Sequence, residues 1–161
     1  MEKAEKRKYF LNPGYVFIAA EEYEVETILG SCVSVAIWDM KKNIGGMNHY
    51  ILPEKEKQDV HSGRYGNYSI PFLINELLKI GADIQNMRAA IIGGGKHQEL
   101  GELVGLKNIE IAKEKLGKYG IKVVKEDTGG EIGRRISFNT FTGNLIIKYL
   151  PEKIVYNEII K

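Results

Sequence analysis

Residues 32–52 read CVSVAIWDMKKNIGGMNHYIL. Val33, Val35 and Ile37 alternate with Ser34, Ala36 and Trp38, a two-residue period rich in β-branched side chains that predicts a strand. Asp39-Met40-Lys41-Lys42-Asn43 interrupts it, and an apolar, extended-looking run resumes at Ile44. Two such runs joined by a short polar segment predict a β-hairpin. With residues 39–42 as the loop, Trp38 faces Asn43 and Cys32 falls directly opposite His49. Cross-strand neighbours of that kind hold their Cβ atoms roughly 4.5–5.5 Å apart on one face, within reach of a thiol–imidazole hydrogen bond. A slip of one residue would send the two side chains to opposite faces.

Cys32 is the only cysteine of the chain, so it has no partner for an internal disulfide. Such a residue is either a small buried apolar group or a nucleophile, and the second role needs a base within reach. An ordinary thiol is only a few per cent thiolate at neutral pH. A neighbouring imidazole accepts its proton, stabilises the thiolate and later returns the proton to a leaving amine. That chemistry suits acyl transfer at an amide carbon.

Outward from the hairpin, residues 15–20 and 25–29 read as earlier strands. Residues 54–68 are polar and carry glycines, the composition of a loop. Ser69 is placed to cap a helix with Pro71 in its first turn. Ile70, Leu73, Ile74, Leu77 and Leu78 then follow the helical period, and Gly81 stops it. Residues 87–92 have the apolar run of a buried strand. Asn108 is read as the cap of a second helix with apolar positions Ile109, Ala112, Leu116 and Tyr119, ended by Gly120. Strands at residues 122–125, 136–138 and 145–150 follow, the last two joined as a hairpin through Thr140-Phe141-Thr142-Gly143-Asn144. Strands outnumber helices and the hairpins are local, which predicts an α+β domain with a largely antiparallel or mixed sheet system.

A chain of 161 residues is one domain of ordinary size, with about two-thirds of its unfolded surface buried on folding. The net charge of +2 gives no nucleic-acid footprint. Lys3, Lys6, Arg7 and Lys8 are interrupted by Glu2 and Glu5, and residues 1–9 read as a solvated, frayed end. No stretch approaches the ~20 apolar residues of a membrane span, and there is no apolar signal core at the start. With a single cysteine, the expected location is the reducing cytoplasm. Gly93-Gly94-Gly95-Lys96 resembles a phosphate loop only superficially, since Ala90 stands where the first glycine is needed and His97 where a hydroxyl is needed. It reads instead as a strand-ending turn that can line the site. Cys32, His49, His61 and His97 form a conceivable zinc set, but without any close-spaced pair. Tyr50, Tyr65 and Tyr68 fall near the hairpin in sequence, in positions that suit packing and binding equally.

The stretch Thr27-Ile28-Leu29-Gly30-Ser31-Cys32-Val33, followed by Gly46-Met47-Asn48-His49-Tyr50-Ile51-Leu52-Pro53, resembles the signature of the chemoreceptor glutamine deamidases, the CheD family. Ser62-Gly63-Arg64-Tyr65, Ile91-Ile92-Gly93-Gly94-Gly95, Leu106-Lys107-Asn108-Ile109-Glu110, Glu126-Asp127-Thr128-Gly129-Gly130 and Arg134-Arg135 continue the likeness in order. The resemblance implies a single deamidase domain over residues 1–161, with stacked sheets and helices on one face. It implies a cysteine-dependent, cofactor-free conversion of receptor glutamines to glutamate through a thioester, with release of ammonia. Cys32 aligns with the nucleophile, His49 with the general base and Thr27 with the third catalytic residue. Thr27 stands one residue nearer the cysteine than in some relatives. Gly30, Ser31, His61 and Tyr65 are the expected substrate-binding residues. The implied partners are the cytoplasmic helices of chemotaxis receptors and a CheC-type chemotaxis phosphatase. Two rival functions remain at this point: a non-catalytic binding module for the same partners, and a zinc-dependent amidohydrolase.

Overall fold

The computed structural model describes residues 7–54, 62–96 and 102–151. Nine strands and two helices follow in the order β1 (Arg7–Phe10), β2 (Val16–Ala19), β3 (Tyr23–Leu29), β4 (Val33–Asp39), β5 (Ile44–Asn48), α1 (Gly66–Lys79), β6 (Met87–Gly93), α2 (Glu102–Lys118), β7 (Lys122–Thr128), β8 (Arg134–Asn139) and β9 (Leu145–Tyr149). They build two mixed sheets, one ordered β1-β3-β8-β9 and the other β2-β5-β4-β6-β7. The β1–β3 and β6–β7 pairs are parallel and the others antiparallel. This is the expected α+β class with stacked sheets.

Both helices cover the five-stranded sheet, α1 over β2 and β5, α2 over β4, β6 and β7. Val33, Val35, Ile37, Tyr50 and Ile91 point to that side and meet Ile70, Leu73, Ile74 and Leu77 of α1 and Ile109, Ala112 and Leu116 of α2. The opposite face of the sheet, with Ala36, Met47, Ala90 and Ile92, packs on Val25, Leu29, Ile136 and Phe138 of the four-stranded sheet. Two apolar layers therefore sit on either side of one central sheet, whose strands are apolar on both faces.

The β4–β5 hairpin forms, but its register differs from the expectation. Asp39 pairs with Ile44 and Trp38 with Gly45, so residues 40–43 make the turn. Asp39 sets this. Its Oδ1 accepts from the N–H groups of Lys41 at 2.8 Å and Lys42 at 2.9 Å, and its Oδ2 accepts from Asp83 N–H at 2.8 Å. Asn43, at φ 56°, then closes the turn in the left-handed region that asparagine tolerates. A carboxylate satisfied by three N–H groups stays buried as the last strand residue rather than the first loop residue.

Four other expectations shift. Helix α1 begins at Gly66, with Tyr65 as its N-terminal flanking residue, so Ser69 is not a cap and Pro71 lies inside the helix. The carbonyls of Leu52 and Pro53 accept from Gly66 and Asn67 N–H, satisfying the first turn without a side-chain cap. Helix α2 begins six residues before Asn108, which lies mid-helix. Arg7, Lys8 and Tyr9, expected in a frayed end, belong to β1 and pair with Tyr23, Glu24 and Val25. Leu78, expected on the buried stripe of α1, is 38% exposed.

Candidate active site

In β3, Val25, Thr27 and Leu29 point inward while Ile28 is exposed, so the strand period itself carries Thr27 between the sheets. There its Oγ1 lies 2.8 Å from His49 Nδ1. The same hydroxyl donates its single hydrogen to the carbonyl of Leu11, also at 2.8 Å. It must therefore accept from Nδ1–H, which fixes the neutral tautomer and leaves Nε2 as the basic nitrogen. His49 is 2% exposed, and Nε2 has no hydrogen-bond partner among the described residues. Burial pushes the imidazole pKa down to about 4, so the ring is neutral near neutral pH.

His49 directly follows β5, where the regular ladder is interrupted. Val33 and Tyr50 exchange both backbone hydrogen bonds, at 3.2 and 3.0 Å. Between that pair and the Ala36–Met47 pair, the side-chain Oδ1 of Asn48 accepts from Val35 N–H at 2.7 Å, in place of a backbone carbonyl. His49 itself is held from the other side, through Gly14 N–H to its carbonyl and its own N–H to Tyr15 O.

Cys32 sits at the entrance to β4, half-buried against the inter-sheet cluster. The glycine turn after β6 holds its loop, with Gly94 N–H on Cys32 O at 2.9 Å and Gly95 N–H on Gly30 O at 2.8 Å. Those two N–H groups brace the Cys32 loop rather than face outward. Burial pushes the Cys32 thiol above its ordinary pKa, and its own backbone N–H, beside the sulfur, works against that shift. Thiol and imidazole therefore rest as a neutral pair.

The two-residue change of register keeps Cys32 and His49 on one face, since parity is preserved. It does not place them directly opposite. Continuing the Val33–Tyr50 pairing sets Cys32 against Ile51 and His49 against Ser34, which makes the two diagonal neighbours. Diagonal residues stand about 7–8 Å apart, further than direct partners. The expected thiol–imidazole hydrogen bond is accordingly not made.

Gly30 is exposed at the mouth of this arrangement, and a Cβ there would meet nothing within 4 Å. Ser31 is half-buried, its carbonyl taken by Asn108 Nδ2 at 3.0 Å. Tyr65 is half-buried and bridges to Leu52, three residues past His49. His61 and His97 lie outside the described residues. Among the described residues, no three His, Cys, Asp or Glu side chains gather as a metal-binding group. Among the same residues, no helix is long and apolar enough to cross a membrane.

Sequence reasoning missed the Leu11 carbonyl, the Asn48 side chain and Asn108. A main-chain acceptor leaves no mark in a side-chain pattern. The available signal for Asn108 was a polar residue among the apolar positions of α2.

Residues 51–149 match the family model described as CheD chemotactic sensory transduction. A probable chemoreceptor glutamine deamidase CheD of Trichlorobacter lovleyi is 39% identical over 144 residues, covering 88% of this chain and 89% of its own. Proteins of the same name from Sulfurimonas denitrificans and Methanococcus vannielii are each 37% identical. The first covers 92% of this chain and 97% of its own, the second 84% and 90%. This chain belongs to the CheD family. The family match starts just after His49 and takes in Tyr65, the glycine turn, Asn108 and Arg134.

Proposed function

We propose that this CheD-family chain is a protein-glutamine deamidase that hydrolyses glutamine side chains of chemotaxis receptors to glutamate. Cys32 is the nucleophile, His49 the general base and acid, and Thr27 the residue that orients His49. The observation that carries this reading is the Thr27–His49 hydrogen bond, because it turns a buried histidine into a base with a defined free nitrogen. Rotation of the half-buried Cys32 side chain, sampled in the free protein and held by bound substrate, brings its thiol to Nε2. Catalytic hydrogen bonds are often long in the free enzyme and tighten in the complex.

The chemistry then balances without a cofactor. Nε2 takes the thiol proton as sulfur bonds to the carboxamide carbon. The Cys32 N–H, which lies beside the sulfur, donates to the developing oxyanion. Collapse breaks the C–N bond, and the imidazolium gives its proton to the departing ammonia. Water next attacks the thioester, Nε2 accepts its proton, the C–S bond breaks, and glutamate leaves as the thiol is restored. A Cβ at Gly30 would meet nothing within 4 Å, which leaves room for substrate, and in this reading Gly30, Ser31, His61 and Tyr65 are the residues that bind it. The receptor's cytoplasmic helices are the substrate and a CheC-type phosphatase is a second partner. The protein acts in the cytoplasm.

The test is conversion of glutamine to glutamate in a receptor cytoplasmic fragment, followed by mass spectrometry. Wild type is compared with Cys32→Ala, His49→Ala and Thr27→Val. Cys32→Ala and His49→Ala lose conversion, and Thr27→Val drops by roughly tenfold or more, as removal of a 1–3 kcal/mol hydrogen bond implies. A folded wild type that binds the fragment without converting it would make the chain a binding module. Activity lost to chelator and restored by zinc would make it a metal-dependent amidohydrolase.

A further inference from the structure

Past the Val33–Tyr50 pair, β4 and β5 part company. The N–H groups of Ile51 and Leu52 both turn to the carbonyl of Arg64, so no ladder bond joins this chain to Ser31 or Cys32. That is where the nucleophile and the base must be held in relation to each other. One side chain spans the gap. Asn108, fully buried in the middle of α2, donates from Nδ2 to Ser31 O at 3.0 Å and to Ile51 O at 2.9 Å.

Two carbonyls facing one amide group require its nitrogen there, which fixes the orientation of the carboxamide. Ser31 is the residue before Cys32, and Ile51 is two residues past His49. The helix that carries the clamp is itself pinned. The buried Tyr50 hydroxyl donates to the backbone carbonyl of Asn108. Gly105, one turn earlier, lies so close to the glycine turn that a Cβ would stand 2.5 Å from Gly94 O and 2.6 Å from Gly95 O. The Asn108 Oδ1 has no hydrogen-bond partner among the described residues, so burying this carboxamide carries a cost that an apolar residue continuing the stripe of Ile109 and Ala112 would avoid.

We propose that Asn108 is a positioning residue, whose carboxamide sets the separation of Cys32 and His49 by tying the two diverging chains together. The inference rests on the Cys32–His49 reading of the site. The test compares Asn108→Ala and Asn108→Asp with Leu116→Ala, a fully buried residue of the same helix outside the clamp. Three quantities are measured per folded molecule: kcat and KM for receptor-fragment deamidation, and the rate of Cys32 alkylation by iodoacetamide near neutral pH. A group misplaced by about 1 Å costs on the order of 100-fold. Both Asn108 variants are therefore expected to lose roughly 10–100-fold in kcat and a similar factor in alkylation, with KM within about twofold. Leu116→Ala is expected to lose stability and keep both rates. Asn108 variants with wild-type kcat and alkylation rate would overturn the proposal, as would equal losses in Leu116→Ala. Should the wild type deamidate nothing, the functional reading fails by that assay while alkylation still decides the role of Asn108.

Discussion

His49 has a buried ring whose proton inventory differs between the folded and unfolded chains. Unfolded, its pKa is the ordinary ~6.5; folded, burial takes it to about 4. Between those values the unfolded chain binds a proton that the folded chain refuses. Folding stability therefore rises with pH through this window and levels off above ~6.5, where neither state is protonated. Across the full window the change is about 3 kcal/mol, since each pKa unit is worth about 1.4 kcal/mol. Urea denaturation at pH 5, 5.5, 6 and 6.5 measures the slope in a range where ordinary carboxylates have mostly finished titrating. His49→Gln removes it, and a variant with the wild-type slope would show that His49 is not buried neutral. The same burial explains why Thr27 matters. In water the imidazole tautomers exchange freely, whereas here the Thr27 hydroxyl, already committed to Leu11 O, admits only the one with hydrogen on Nδ1.

Elements deliver these residues, and two glycines of the site show how differently a backbone can be constrained. Gly93 ends β6 at φ 108°, and a Cβ there would stand 2.3 Å from the carbonyl of Cys32. Gly30 has open space around its missing Cβ. Gly93→Ala is expected to lose about 1–3 kcal/mol and to displace the Cys32 loop. Gly30→Ala is expected to stay within about 0.5 kcal/mol of wild type while lowering kcat/KM by narrowing the approach to sulfur. Thermal denaturation beside deamidation kinetics separates the two, and a Gly30→Ala protein with full kcat/KM would remove Gly30 from the substrate path. The hairpin, both helices and most strands were legible because their apolar periods match the faces they bury. The exact turn of the hairpin was not, because Asp39 looks like a loop residue until Asp83 N–H is brought to it from 44 residues away. Strand β1 was hidden because all four of its residues are exposed. The first turns of α2 were hidden because Leu103 and Leu106 are more than half exposed, so the apolar period there does not report burial. Of the candidate site, the sharing of one face by Cys32 and His49 was legible from strand parity. The Asn108 bridge depends on three segments meeting in space, which spacing along the chain does not encode.

Across the whole molecule, the two sheets are tied beside the site by a charged brace. Arg134 on β8 donates from Nε to Asp127 Oδ1 on β7 at 2.9 Å and from its NH2 group to Gly129 O at 2.8 Å. Tyr149 on β9 donates its hydroxyl to the other Asp127 oxygen. Burial works against the Asp127 carboxylate, but the Tyr149 hydroxyl and the Arg134 guanidinium outweigh it and hold its pKa below the ordinary value. From this brace a run of backbone bonds leads to the loop that carries Cys32. Gly129 N–H donates to Gly93 O, Lys96 N–H to Gly130 O, and Gly95 N–H to Gly30 O. The brace thereby supports the loop that links β3 of the four-stranded sheet to β4 of the five-stranded one. The Arg134 and Asp127 side chains are only 6% and 20% exposed, so removing one partner strands a poorly hydrated charge. Arg134→Met is expected to cost about 3 kcal/mol on that ground. Arg135 gives the control. Its side chain is 52% exposed and stands 3.7 Å from Glu26, so Arg135→Met falls in the range of surface pairs, within about 1 kcal/mol. Chemical denaturation of the two variants measures the difference, and equal losses would mean that the brace contributes no more than a surface contact. If the brace also steadies the Cys32 loop, Arg134→Met slows Cys32 alkylation in the folded protein, whereas Arg135→Met, on the far face of the same strand, leaves it unchanged.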